Sequence, residues 1–147
     1  PSQRMRDIGV GMKFNALPDI IAGKRLVVVE DSIVRGTTKS RVVKLLRNAG
    51  AAEIHVRIAS PPIISTCHFG VDMATVDELI AARKSVDEIK EVIGADSLGY
   101  LSVDGLRKSV QAEPGTFCNG CFTGKYPIPV QLEMNKMEFE GVGASND

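Results

Sequence analysis

Neither sign of charge is in excess in this sequence: Lys plus Arg and Asp plus Glu count 18 each, for a net charge of zero. That balance argues against nucleic-acid or membrane binding by a broad one-signed surface, while leaving room for a small local anion site. Apolar runs long enough to span a membrane are absent, and the opening PSQRMRDIGVGMKFN has no signal-peptide core. Cysteine is scarce. Cys67, Cys118 and Cys121 are an odd number at spacings that make a poor disulfide framework, which predicts a reducing, cytoplasmic setting. The first residue is Pro1 rather than Met, which leads us to expect a piece of a longer polypeptide. At 147 residues the chain suits one domain.

Residues 1–23 show no strong period; Arg4, Arg6 and Lys13 make them basic, and a turn is expected at Ala22–Gly23. Leu26-Val27-Val28-Val29 is an unbroken apolar run, predicting a strand buried on both faces. A helix should follow, with Val42, Val43, Leu45 and Leu46 inward and Lys39, Arg41, Lys44 and Arg47 toward water, ending near Gly50. Ile54, Val56 and Ile58 alternate as the next strand, so strand, helix and strand predict a βαβ crossover in a parallel α/β sheet. Thr75-Val-Asp-Glu78 and Ser85-Val-Asp-Glu88 both read as capping boxes opening helices, the second closed by Gly94. A short helix should start at Ser102 and run to about Val110. Pro and Gly make residues 111–130 loop-like, and a polar tail follows Gln131.

The chemistry concentrates between the first strand and the first long helix, at Glu30-Asp31-Ser32-Ile33-Val34-Arg35-Gly36-Thr37-Thr38. Backbone N–H groups at such a turn point outward, and the helix dipole adds positive potential. Gly36 allows a phosphate to approach the backbone, while Ser32, Thr37 and Thr38 offer hydroxyls. Glu30 and Asp31 lie at the carboxyl end of the strand, where ligands of open parallel sheets bind. Two carboxylates there suit ribose hydroxyls or Mg²⁺ already carrying phosphate oxygens. The bland alternative is that these residues only cap a helix. The Gly-Lys-Ser/Thr of a nucleoside-triphosphate P-loop is absent, which argues against an ordinary ATPase.

VVVEDSIVRGTT resembles the phosphoribosyl pyrophosphate (PRPP) motif of type I phosphoribosyltransferases, with Glu30 in place of the usual first aspartate. Together with HVRIASPPI, CHFGVD, ELIAARKSVDEIKEVIGADSLGYLSVDGL and FCNGCFTGKYP, it resembles the amidophosphoribosyltransferase family up to about Pro129. The resemblance implies an incomplete, Rossmann-like type I phosphoribosyltransferase core over residues 1–66. A helical region and cysteine-bearing loop of the same domain would occupy 67–130, and a flexible tail 131–147. It implies a part of a homo-oligomeric enzyme that makes 5-phosphoribosylamine from PRPP, glutamine and water, the first committed step of purine synthesis. Purine nucleotides would inhibit it by feedback, its glutaminase domain would lie N-terminal to this chain, and the chain alone would be inactive.

By the same resemblance, Glu30, Asp31, Ser32, Arg35, Gly36, Thr37 and Thr38 bind PRPP, with Glu30 and Asp31 meeting Mg²⁺. Lys13 matches a catalytic loop lysine that covers pyrophosphate. The alternative functions are a non-catalytic binder of sugar phosphates or nucleotides, and another type I phosphoribosyltransferase. Cys118-x-x-Cys121 by itself leaves zinc, an iron–sulfur cluster, a redox dithiol and free thiols all open. In the family's bacterial-type branch, cysteines matching Cys67, Cys118 and Cys121 hold a 4Fe-4S cluster, whose fourth ligand would lie outside this chain. His55, His68, Tyr100 and Tyr126 read as structural, and Asp104 as a helix-dipole partner.

Overall fold

Three short strands, two of them alternating in burial, organise the chain in a computed structural model that describes residues 15–73 and 75–129. Strands β1 (Arg25–Glu30), β2 (Glu53–Ile58) and β3 (Ser97–Tyr100) form a parallel sheet in the order β1-β2-β3. Between them lie α2 (Thr37–Asn48), a 3-10 turn (Val76–Glu78), α3 (Ile80–Arg83) and α4 (Val86–Ile93). The one-turn helix α1 (Pro18–Ile21) precedes the sheet, and α5 (Val103–Ser109) and α6 (Gly120–Thr123) follow it. The expected parallel α/β arrangement is therefore present.

The core forms where the even-numbered strand residues meet the helices. Ile54, Val56 and Ile58 are buried with Val43 of α2 and Ile89 and Ile93 of α4, and Leu26, Val28, Leu98 and Tyr100 pack against them. The expectation for β1 is corrected: it is not buried on both faces, since Val27 and Val29 are 66% and 70% exposed. Both crossovers step the same way across the sheet. Right-handed connections then place α2 and α4 on one side, leaving the other face open among the described residues. On that open face Arg25 donates to Glu53 at 2.7 Å, His55 lies 2.8 Å from Glu53 and 2.9 Å from Ser97, and Arg57 donates to Ser97 at 3.0 Å.

Helix ends follow their sequence signals unevenly. Gly50 and Gly94 both take positive φ after their helices, and the Ser85–Glu88 capping box forms in both directions. Ser102 caps α5 by accepting from the Gly105 N–H at 2.9 Å. Thr75 departs from expectation. Its hydroxyl caps nothing, and the segment is a 3-10 turn that breaks at an extended, fully buried Leu79 before α3 begins. Glu78 is drawn to Arg35 instead. Strand β3 and the single turns α1 and α6 were not foreseen; the expected turn at Ala22–Gly23 is there, with Gly23 at φ 72°.

Candidate functional site

The loop from Asp31 to Gly36 links the carboxyl end of β1 to the amino end of α2, and three contacts set its shape. Ile33 is buried at 1% exposure, anchoring the loop in the core. The Ile80 N–H donates to the Val34 carbonyl at 2.8 Å, so the start of α3 backs the loop. Gly36 is buried with φ 79° and ψ −18°, a left-handed turn that L-residues adopt at a cost. A Cβ on Gly36 would also lie 3.0 Å from Ile80 Cδ1.

This geometry aims the start of α2 outward. Thr37 and Thr38 are exposed in its first turn, and no side chain among the described residues caps the helix. A twelve-residue helix with an uncapped, solvent-facing amino end is a place where an anion can accept from backbone N–H groups. Gly36, Thr37 and Thr38 thus share the amino end of α2, and Asp31 follows the carboxyl end of β1 at the other end of the connecting loop.

The two acids are not equivalent. Glu30 projects to the helix-packed side and pairs with Lys39 of α2. Lys39 therefore turns inward, with a side chain 15% exposed, rather than facing water as expected. Asp31 stays exposed and, among the described residues, accepts from Ser32, whose hydroxyl lies 3.2 Å away. The exposed Asp31 carboxylate fits a Mg²⁺ ion, which prefers oxygen ligands; the Glu30 carboxylate is already taken by Lys39. Arg35 donates to Glu78 at 2.8 Å, and that guanidinium holds the Glu78 carboxyl below its usual range. Lys39, Glu78 and Ile80 carry no sequence signal for these roles, because each contact depends on packing. Tyr100 lies at the end of β3 with its hydroxyl buried and unpaired among the described residues; burial pushes its pKa up to about 12, so it stays protonated at neutral pH. Lys13 lies outside the described residues.

Away from this loop, the two cysteine-bearing segments meet. Ile64 and Ser65 both donate backbone N–H bonds to the Cys121 carbonyl, at 2.9 and 3.1 Å. The three cysteines are free thiols. Phe69 N–H donates to the Cys67 sulfur and Gly120 N–H to the Cys118 sulfur, each at 3.4 Å. Partial burial pushes the Cys121 thiol up, and the neighbouring Cys67 and Cys118 push it further. Three thiols on two adjoining segments, two of them accepting N–H···S bonds, are a donor set whose chemistry suits an iron–sulfur cluster. As they stand, no three His, Cys, Asp or Glu side chains among the described residues are grouped to hold a metal ion.

No family model matches the chain. Individual relatives do. It is 49% identical over 146 residues to the amidophosphoribosyltransferase of Synechococcus elongatus, covering 98% of this chain and 30% of that protein. It is 51% identical over 134 residues to the Bacillus subtilis amidophosphoribosyltransferase, covering 88% of this chain and 28% of the relative. The solved structure of glutamine PRPP amidotransferase from B. subtilis, complexed with ADP and GMP, superposes with a TM-score of 0.75 at 52% identity. That superposition covers 86% of this chain and 29% of the other. The chain thus spans about 30% of the length of the relatives it matches. On sequence and fold together, the chain is similar to one part of these amidophosphoribosyltransferases.

Proposed function

We propose that the protein containing this chain is an amidophosphoribosyltransferase, and that this part of it binds the ribose 5-phosphate end of PRPP. The observation that carries the reading is the buried, left-handed Gly36 opening the uncapped α2 beside Asp31. Identity near 50% to named amidophosphoribosyltransferases supports it. Backbone N–H groups of the first turn of α2, with the Thr37 and Thr38 hydroxyls, hold the 5′-phosphate; Ser32 and Arg35 stand beside it. Asp31 takes the ribose hydroxyls and is the carboxylate open to Mg²⁺, which when bound neutralises pyrophosphate charge. Glu30 acts through Lys39, fixing the charge behind the loop.

In the reaction, ammonia released from glutamine attacks C1 of the ribose, the C1–oxygen bond breaks, and pyrophosphate leaves with the bonding electrons. Such a displacement depends on positioning and charge neutralisation rather than on a protein nucleophile. Lys13 is assigned to cover the departing pyrophosphate. A purine nucleotide carries the same 5′-phosphate and so can occupy the same cradle as an inhibitor; the B. subtilis structure bears ADP and GMP. Cys67, Cys118 and Cys121 would supply three ligands of a 4Fe-4S cluster; its fourth ligand, the glutaminase domain and the contacts of a homo-oligomer would come from the rest of the protein. No helix among the described residues is long and apolar enough to cross a membrane, and the free thiols suit the cytoplasm.

The test is made in the full-length protein. It should release pyrophosphate from PRPP in step with glutamine hydrolysis. Thr37→Val with Thr38→Val should weaken ribose 5-phosphate binding, measured by calorimetry, by roughly tenfold or more, as expected for lost hydrogen bonds to a charged group. Unchanged binding with an intact fold would refute the phosphate assignment.

A further inference from the structure

We infer that Tyr126 is the residue that holds the Cys67 segment and the Cys118–Cys121 turn side by side, and so governs how close the thiols on the two segments come. The inference rests on the cysteine reading above only for what the site holds; the positioning role stands on four contacts. The Tyr126 hydroxyl donates to the carbonyl of Thr66, the residue before Cys67, at 2.6 Å. The Tyr126 ring lies over Gly120, between Cys118 and Cys121, so closely that a Cβ there would sit 2.3 Å from Tyr126 Cδ1. The same ring meets His68 edge-on at 4.8 Å and Phe69 at 6.0 Å, just past Cys67. One side chain therefore touches both sulfur-bearing segments, on either side of Cys67 and inside the Cys-x-x-Cys turn.

The surroundings explain why such a clamp is needed. The segment 111–129 holds one single-turn helix and is otherwise irregular, so its position owes little to secondary structure. Among the described residues, the Tyr126 hydroxyl adds a hydrogen bond from this loop to the Cys67 segment beside the Ile64 and Ser65 bonds to the Cys121 carbonyl. A tyrosine does this at low entropic cost, having a rigid ring and a polar tip that reaches its partner. Gly120 is the matching half, because any side chain there would expel the ring.

The experiment reads thiol proximity directly and does not depend on catalysis. Full-length protein, reduced and stripped of metal, is treated with dibromobimane, which bridges two thiols within reach, and the Cys67–Cys121 bridged peptide is quantified by mass spectrometry. Tyr126→Phe keeps the ring and loses the Thr66 bond; its bridging rate should fall about fivefold, the equivalent of one hydrogen bond. Gly120→Ala should slow bridging further by displacing the ring. Ribose 5-phosphate affinity should be unchanged in both, since neither residue touches the loop after β1, and this separates failure of the clamp from failure of the phosphate reading. Iron uptake on anaerobic reconstitution, followed by absorbance, should fall in parallel with bridging. Bridging at the parental rate in Tyr126→Phe, or a lowered melting temperature with bridging unaltered, would overturn the inference. If Gly120→Ala does not fold, Tyr126→Phe decides alone.

Discussion

Replacing Gly36 by alanine tests the site and the fold together. Gly36 sits at φ 79°, and an L-residue held in the left-handed region costs about 1–2 kcal/mol. Alanine also restricts the unfolded chain, returning roughly 0.4–1 kcal/mol. Gly23 isolates this backbone balance: its φ is 72° and a Cβ there would meet nothing within 4 Å. Gly23→Ala should therefore destabilise by only about 0.5–1 kcal/mol. At Gly36 the new methyl would also press on Ile80 Cδ1 at 3.0 Å, in a buried position. The struck atom is a terminal methyl, so crowding should fall at the low end of the ~1–3 kcal/mol range for overpacking. The total for Gly36→Ala is about 2 kcal/mol, clearly more than at Gly23. Calorimetric melting of the full-length protein and both variants gives the comparison, and a ribose 5-phosphate titration should show weaker binding only for Gly36→Ala. Equal destabilisation by the two substitutions would show that the loop moves freely away from Ile80. The account of a cradle braced from behind would then be wrong.

Two further outcomes follow from the charged contacts. Asp96 accepts from the Ile54 N–H at 2.6 Å and from Arg47 at 2.7 Å, and these bonds, the first above all, hold its carboxyl below the usual aspartate range. A lowered folded-state pKa gives stability that is present above the ordinary value, about pH 4, and is lost as pH falls through the lowered one. Asp96→Asn should thus melt below the parent at neutral pH and converge with it as the pH drops below about 4; parallel pH profiles would refute the linkage. Glu78→Gln should release Arg35 while shifting the melting temperature little, because both side chains are largely exposed. Ribose 5-phosphate should then bind roughly threefold more tightly at low salt, the size expected of one exposed charge pair. Weaker binding would mean that Glu78 orders the loop rather than competing for Arg35.

The sequence by itself determined the local features whose causes are local. Glycines after helices at 50 and 94, the Ser85–Glu88 box, the Ser102 cap and the alternation of Ile54, Val56 and Ile58 each act within a few residues, and each stands as read. The site loop was legible for the same reason: a strand, two acids, a glycine and two threonines are contiguous, and the helix end they form is local geometry. Tertiary structure decided the rest. Strand β3 is four residues long and contains Gly99, so it exists only through pairing with β2 some forty residues earlier, which no short-range pattern reports. Thr75 and Ser85 head near-identical motifs, yet only Ser85 caps. Glu78 lies within reach of Arg35 once the chain has folded, and Leu79 is taken into the core. The run Leu26–Val29 cannot reveal which of its faces is covered. That depends on the order of the strands and the hand of the crossovers, which put both packing helices on the side of Leu26 and Val28. The division of labour between Glu30 and Asp31 has the same origin: strand pleat turns one acid toward Lys39 and leaves the next in water, at the mouth of the site.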